Sequence, residues 1–200
     1  MIPGPGKTDG NSESSSLQDA TSPGKDANIS PGNAMTQPNT TKLPRPREAV
    51  RALMLDQHGR ILLIRTIEPK SQAVFWLAPG GGIEKGEERE ECLQREIFEE
   101  TGLADCTIGP QIWHRSHTFF WDGNWLSQSE RFFLVRTSAF SPTDQNLPNA
   151  MEQKAFGGFV WWSIPGIIAS TEAFVPRLLG QFLEQLQTEG PPPASIDVGR

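Results

Sequence analysis

Apolar positions between residues 49 and 186 fall into short runs separated by turn residues, and the period of each run predicts its structure. Ala49–Leu55 and Arg60–Arg65 read as strands, with Asp56-Gln57-His58-Gly59 as the turn of a hairpin. Phe75-Trp76-Leu77-Ala78-Pro79 is a short strand that runs into Gly80-Gly81-Gly82. Thr107 to Thr137 reads as one long hairpin turning at Asp122-Gly123. Ser141 to Gly158 is rich in turn residues and predicts a loop, and Phe159–Ile164 predicts a buried strand. Pro176 suits the first turn of a helix, and Leu178, Leu179, Phe182, Leu183 and Leu186 follow at helical spacing. That helix should end near Gly190 and cover the sheet face opposite the other long helix. Pro191-Pro192-Pro193 then predicts a loose tail over 191–200.

The other helix runs from about Glu88 to Thr101, free of Pro and Gly and rich in Glu, Leu, Gln and Arg. Acidic residues crowd its first turns, where the helix dipole favours negative charge. Gly102 suits a left-handed cap after its last turn. The three glycines before it let the backbone turn sharply and approach a ligand closely.

Composition adds limits. The 200 residues carry a formal net charge of −6, which argues against broad binding to a nucleic-acid backbone. Residues 1–44 have almost no apolar side chains and predict a disordered tail; they lack the basic and apolar regions of a secretory signal. No apolar run reaches membrane-span length, and a cytoplasmic location is expected. The two cysteines, Cys92 and Cys106, do not make a disulfide framework. The predicted strands and helices place one domain over 45–190.

Candidate chemistry centres on Glu96, Glu99 and Glu100. At i, i+3 and i+4 they project from one helix face. Three hard oxygen donors suit Mg²⁺ or Mn²⁺, whereas without a cation the same spacing is an ordinary solvated acidic face. Arg95 lies one turn before Glu99 and can hold its carboxylate. The full order decides between the two: Gly81, five residues, Glu87, seven residues, Arg95-Glu96-Ile97, one residue, Glu99-Glu100, one residue, Gly102-Leu103. This resembles a complete Nudix box, with every fixed position filled.

The resemblance implies a Nudix-type α/β/α sandwich with a mixed β-sheet, and a hydrolase of nucleoside diphosphates linked to another group. By it, Glu96, Glu99 and Glu100 would bind Mg²⁺ (or Mn²⁺). Gly80 and Gly81 would form the loop beside the metal, and Glu87 and Arg95 would support the ligands. The Trp161-Trp162 pair is similar to the last strand of many Nudix domains. A carboxylate outside the box often serves as general base or extra ligand in the family, and Glu152 and Glu130 are the candidates, with Glu99 the candidate inside it. Each outside carboxylate is also readable as an ordinary surface residue. Arg51 and Arg65 can reach substrate phosphates, but a solvent-facing strand position is the plainer reading of both. His114 and His117 should face opposite sides of their strand, which argues against a shared metal. Trp113, Phe119, Phe120, Trp121 and Trp125 suit core or sheet-surface packing better than base stacking.

Subfamily marks narrow the substrate by elimination. The chain has no tyrosine, so it lacks the downstream Tyr associated with diadenosine-polyphosphate hydrolases. The NADH-pyrophosphatase and coenzyme A patterns are missing, and Pro110 lies closer to the box than the proline that marks ADP-ribose pyrophosphatases. A nucleoside triphosphate or similar small nucleotide is left as the default substrate. The alternative is a catalytically weak domain that senses nucleotides. Dimers are frequent in the family, which puts a homodimer among the expected states.

Overall fold

The computed structural model describes residues 46–148 and 150–199. The expected 1–44 tail, and Arg45 with it, lies outside them. The strands are β1 (Arg47–Leu55), β2 (Ile61–Ile67), β3 (Val74–Leu77), β4 (Thr107–Trp121), β5 (Asn124–Arg136), β6 (Phe156–Trp162), β7 (Phe174–Val175) and β8 (Ile196–Asp197). The helices are α1 (Arg89–Thr101), α2 (Ala150–Ala155), α3 (Ile164–Ala169) and α4 (Leu179–Glu189). The strands form one mixed sheet in the order β7-β3-β2-β1-β5-β4-β8, with β6 along the other edge of β2.

Local chemistry sets the turns. Between β1 and β2, Asp56 Oδ1 accepts the N–H groups of His58 (2.9 Å) and Arg60 (2.8 Å), and the carboxylate pairs with the Arg60 guanidinium. Between β4 and β5, Asp122 and Gly123 take φ of 44° and 84°, the two left-handed residues of a type I′ hairpin.

β1 and β2 pair at Leu55↔Ile61 and then diverge. The place beside β1 is taken by residues 79–83. Ala52 N–H donates to Pro79 O (2.7 Å), Val50 N–H to Gly81 O (2.9 Å) and Ile83 N–H to Glu48 O (3.0 Å). On its other edge β1 runs parallel to β5, from Arg47↔Gln128 to Leu55↔Arg136.

Strand alternation sorts the core into two layers. On one face Val50, Ala52, Met54 and Leu62 pack with Cys92, Leu93 and Ile97 of α1. On the other, Leu53, Leu55, Ile61, Leu63, Trp113 and Phe132 pack with Ile164 and Ile167 of α3 and Leu179, Leu183 and Leu186 of α4. This is the expected α/β/α sandwich, with α4 opposite α1. Among the described residues no helix is long and apolar enough to cross a membrane.

Several expectations change. The 141–158 loop contains α2, and β6 begins at Phe156. Ser163 leaves the strand to cap α3, its Oγ accepting the Gly166 N–H at 3.1 Å. Pro176 is not in a helical first turn: it lies in the β7–α4 turn, where its carbonyl accepts the Leu179 N–H at 3.0 Å. The C-terminal segment is not loose. Ile196 and Asp197 run parallel to Trp113 and His114, Val198 N–H donates to His114 O at 2.9 Å, and the Val198 residue is 3% exposed. The open edge of β4 supplies the backbone partners that hold it. Val198→Ala should therefore lower stability by about 2 kcal/mol, the order expected for truncating a buried aliphatic side chain, measured by urea unfolding.

Glu68 ties the hairpin tip to the rest of the sheet. Its carboxylate accepts N–H groups from Ser71, Asp122 (2.7 Å) and Lys70 (3.1 Å). The hydrogen bonds from Ser71, ahead of those from Asp122 and Lys70, hold its carboxyl at about 2, below the ordinary 4.5. A depressed folded-state value gives stabilisation that is complete above 4.5 and fades as the pH falls toward 2. The urea midpoint of the parent should exceed that of Glu68→Gln at pH 6, and the gap should close between pH 4.5 and 2.

Candidate active site

α1 begins where its sequence says it should. Glu88 N–H donates to the Glu91 carboxylate at 3.1 Å, and Gly102, at φ 76°, closes the helix with its N–H on Phe98 O. Its buried stripe, Cys92, Leu93 and Ile97, anchors one side against the sheet, which turns Arg95, Glu96, Glu99 and Glu100 toward the glycine segment.

Arg95 gathers the carboxylates. Its Nε donates to Glu87 Oε1 at 2.8 Å and its terminal nitrogens to Glu87 Oε2 (3.0 Å), Glu96 Oε1 (2.8 Å) and Glu99 Oε2 (3.1 Å). Glu87 also accepts the Glu84 N–H at 2.9 Å. The Arg95 hydrogen bonds hold the Glu87 carboxyl at about 2, so Glu87 is an ionised brace.

Glu96 and Glu100 have the opposite problem. The Glu96 side chain is 13% exposed, and burial pushes its carboxyl up. Burial, then the charge of Glu96, push Glu100 up to about 8, against the pull of Arg51 and of the Gly80 N–H, which Glu100 Oε2 accepts at 2.6 Å. Arg95 pairs with Glu96 at 2.8 Å, whereas Glu100 is bonded to the Gly80 N–H, so the pair is short of positive charge. Hard carboxylate donors held close, short of a counter-charge and with no thiol or imidazole among them, fit a divalent cation of the Mg²⁺ type. Among the described residues no three His, Cys, Asp or Glu side chains already stand as a ligand group; Arg95 occupies one oxygen each of Glu96 and Glu99.

The glycine segment fits closely against this face. Gly80 has φ 135°, and a Cβ there would lie 2.2 Å from Val50 O. A Cβ on Gly81 would lie 2.3 Å from Glu96 Oε1. Glu152, on α2, stands near enough to Glu100 to add to the pressure on its carboxyl. Arg65 is not drawn in: in β2 opposite Trp76 it lies against Gly157 of β6.

The inward placement of two candidates escaped the sequence reading. Arg51 is not solvent-facing, and Glu130 is not a surface residue. The Glu130 side chain is 1% exposed and is paired by Arg51 Nε at 2.8 Å and by Arg115 Nε; His117 Nε2 lies 3.3 Å away. Burial would raise the Glu130 carboxyl, but Arg51, His117 and Arg115 together hold it below the ordinary range. Strand parity carried the signal: Arg51 alternates with Leu53 and Leu55, and Glu130 with Phe132 and Leu134, all on the inward face. His114 and His117 do face apart, the first toward Ser195 (3.0 Å) and the second stacked on Phe119. Trp113 is core, whereas Phe120 and Trp125 form an exposed edge-to-face pair.

A family model described as NUDIX domain matches residues 45–178. The chain belongs to the NUDIX family. As a Nudix protein it is a hydrolase, an enzyme of the pyrophosphohydrolase class. Similar proteins include an RNA pyrophosphohydrolase of Wolbachia pipientis subsp. Culex pipiens, 22% identical over 153 residues, covering 71% of this chain and 90% of the relative. One of Sphingopyxis alaskensis is 28% identical over 131 residues, covering 60% and 78%. Among solved structures, the MutT protein from Methanosarcina mazei Go1 matches with TM-score 0.51 at 20% identity, covering 74% of this chain and 98% of that one. The E. coli dihydroneopterin triphosphate pyrophosphohydrolase matches with TM-score 0.52 at 15% identity, covering 72% and 97%. At these identities the structures establish the Nudix fold.

The two glycines separate by what their Cβ would meet. Gly80→Ala meets backbone at a left-handed φ and should destabilise by roughly 2–3 kcal/mol in urea unfolding. Gly81→Ala meets a side-chain end and should cost less stability while displacing Glu96.

Proposed function

We propose that this Nudix hydrolase cleaves a pyrophosphate linkage in the 5′-phosphate chain of a nucleotide, with Glu96, Glu99 and Glu100 as the residues that would hold Mg²⁺ (or Mn²⁺). The observation that supports the ligand set is the half-buried, mutually repelling pair Glu96 and Glu100, pressed against Gly80 and Gly81. When bound, a divalent cation supplies charge neutralisation at the phosphate oxygens and at the developing negative charge.

The chain's own groups have distinct tasks in this reading. Glu87 and Arg95 brace the carboxylates. Gly80 and Gly81 let the backbone lie against Glu96 and Glu100 with no side chain between. Water attacks phosphorus, the bond to the bridging oxygen breaks, and a carboxylate takes the proton. Glu99 and Glu152 are the proposed acceptors. Glu130 is set aside, since two guanidinium groups already engage its oxygens.

A nucleoside triphosphate or other small nucleotide is the proposed substrate. The relatives named RNA pyrophosphohydrolase add a 5′-triphosphorylated oligoribonucleotide to the candidates, and the net charge of −6 weighs against contacts far along a nucleic-acid backbone.

The test is phosphate release, with inorganic pyrophosphatase added, from nucleoside triphosphates and a 5′-triphosphorylated oligoribonucleotide, and chromatographic detection of the nucleoside monophosphates formed from dinucleoside diphosphates. Turnover should require Mg²⁺, and Glu99→Gln should lower kcat by roughly a hundredfold or more, the range for losing a proton acceptor or metal ligand. A folded protein that binds Mg²⁺ and turns over none of these would sink the nucleotide reading in favour of a sensor.

A further inference from the structure

Arg51 lies on the opposite sheet face from α1, yet its guanidinium spans two environments. Nε donates to Glu130 Oε1 at 2.8 Å, in the buried layer. The terminal nitrogen donates to Gly80 O, and lies 3.4 Å from Ala78 O. Gly80 continues the path through the two peptide groups that flank its Cα: its carbonyl takes the arginine, and its N–H, in the preceding peptide group, donates to Glu100 Oε2 at 2.6 Å. Glu130 is fixed in turn by Arg115, itself 6% exposed, from the neighbouring strand. A continuous set of charge-assisted hydrogen bonds therefore runs from β4 and β5, through β1, to the carboxylate on α1.

We propose that Arg51 and Glu130 are positioning residues for the hydrolytic site, with Glu130 acting as a buried anchor and Arg51 as the strut that fixes the Gly80 peptide against Glu100. This rests on the assignment of Glu100 to the cation site but adds two residues outside the Nudix box, on strands whose apolar neighbours conceal them. The shape of arginine is essential to the idea. Its planar fork reaches a carboxylate with one nitrogen and a carbonyl with another, which a lysine ammonium at the same position cannot do with fixed geometry. The anchor is essential too, because a guanidinium held only by loop carbonyls is free to swing. Two arginines share one carboxylate, so the cluster leaves positive charge beside Glu96 and Glu100.

The experiment compares the parent with Arg51→Lys and Glu130→Gln. In the parent, the Gly80 amide should exchange slowly with deuterium, as a bonded loop amide. In Arg51→Lys it should exchange at least about tenfold faster, with Gly102 at the far end of α1 unchanged. With Mg²⁺ and the best nucleotide, Arg51→Lys should lower kcat by roughly tenfold to a hundredfold, the scale of a small misplacement in a pre-organised site, while KM moves less than about threefold. Mn²⁺ binding followed by electron paramagnetic resonance should weaken in the same variant. Glu130→Gln should act in the same direction, and the double variant should be no worse than the worse single one. A Gly80 amide that exchanges freely in the parent overturns the proposal without any variant. So does an Arg51→Lys protein with parental Gly80 protection, or one whose whole loss is in KM, which would make Arg51 a direct substrate contact. If the parent neither turns over nucleotides nor binds Mn²⁺, the cation assignment fails, and the Gly80 exchange result still decides the strut.

Discussion

Three backbone hydrogen bonds hold the glycine loop inside the sheet, from Ala52 to Pro79, from Val50 to Gly81 and from Ile83 to Glu48. They are possible because β1 and β2 separate after Leu55↔Ile61, which leaves an edge of β1 to be filled. A loop bonded in this way has its backbone groups satisfied by sheet partners. It can carry three consecutive glycines without the disorder that such a sequence would have in water. The close contact of Gly80 with Val50 and of Gly81 with Glu96 follows from this, since a strand-like spacing leaves no room for a side chain at either point.

The charges near the loop balance only when taken together. Arg95 answers Glu87, Glu96 and Glu99, while Arg51 and Arg115 answer Glu130. Glu100 has a backbone N–H and the distant field of Arg51. Burial, and after it the charge of Glu96, raises its carboxyl to about 8, because together they outweigh Arg51 and the Gly80 N–H. On the proposed assignment, a doubly charged cation held there would offset the carboxylate repulsion and part of the cost of burying the charges.

Much of this was legible in the chain. The helix α1, its glycine cap, the β1–β2 and β4–β5 hairpins, and α4 opposite α1 follow from periodicity and turn residues, because each is fixed within a few neighbouring positions. The elements that were missed depend on distant partners. β8 exists because β4 offers an unpaired edge more than eighty residues upstream in the chain (Trp113↔Ile196). α2 is a single short helix in a segment of turn-forming residues, where local propensity gives little signal. Arg51 and Glu130 are charged residues at inward positions, and residue type suggested solvent where strand parity indicated burial. Pro176 misled because proline favours both a helix start and a tight turn.

On the proposed mechanism, environment separates carboxylates that look alike in sequence. A proton acceptor needs an available lone pair and a carboxyl value not far below the working pH. Glu130 meets neither condition: both oxygens are engaged by guanidinium groups, and its carboxyl is held low. Glu87 is excluded on the same ground, since Arg95 braces both of its oxygens. Glu99 gives one oxygen to Arg95 and keeps the other for chemistry or ligation. Glu152 stands on the short helix α2, near enough to Glu100 to raise its carboxyl. On this reading, the carboxylates whose two oxygens are engaged by guanidinium groups hold the site, and proton transfer is assigned to Glu99 or Glu152.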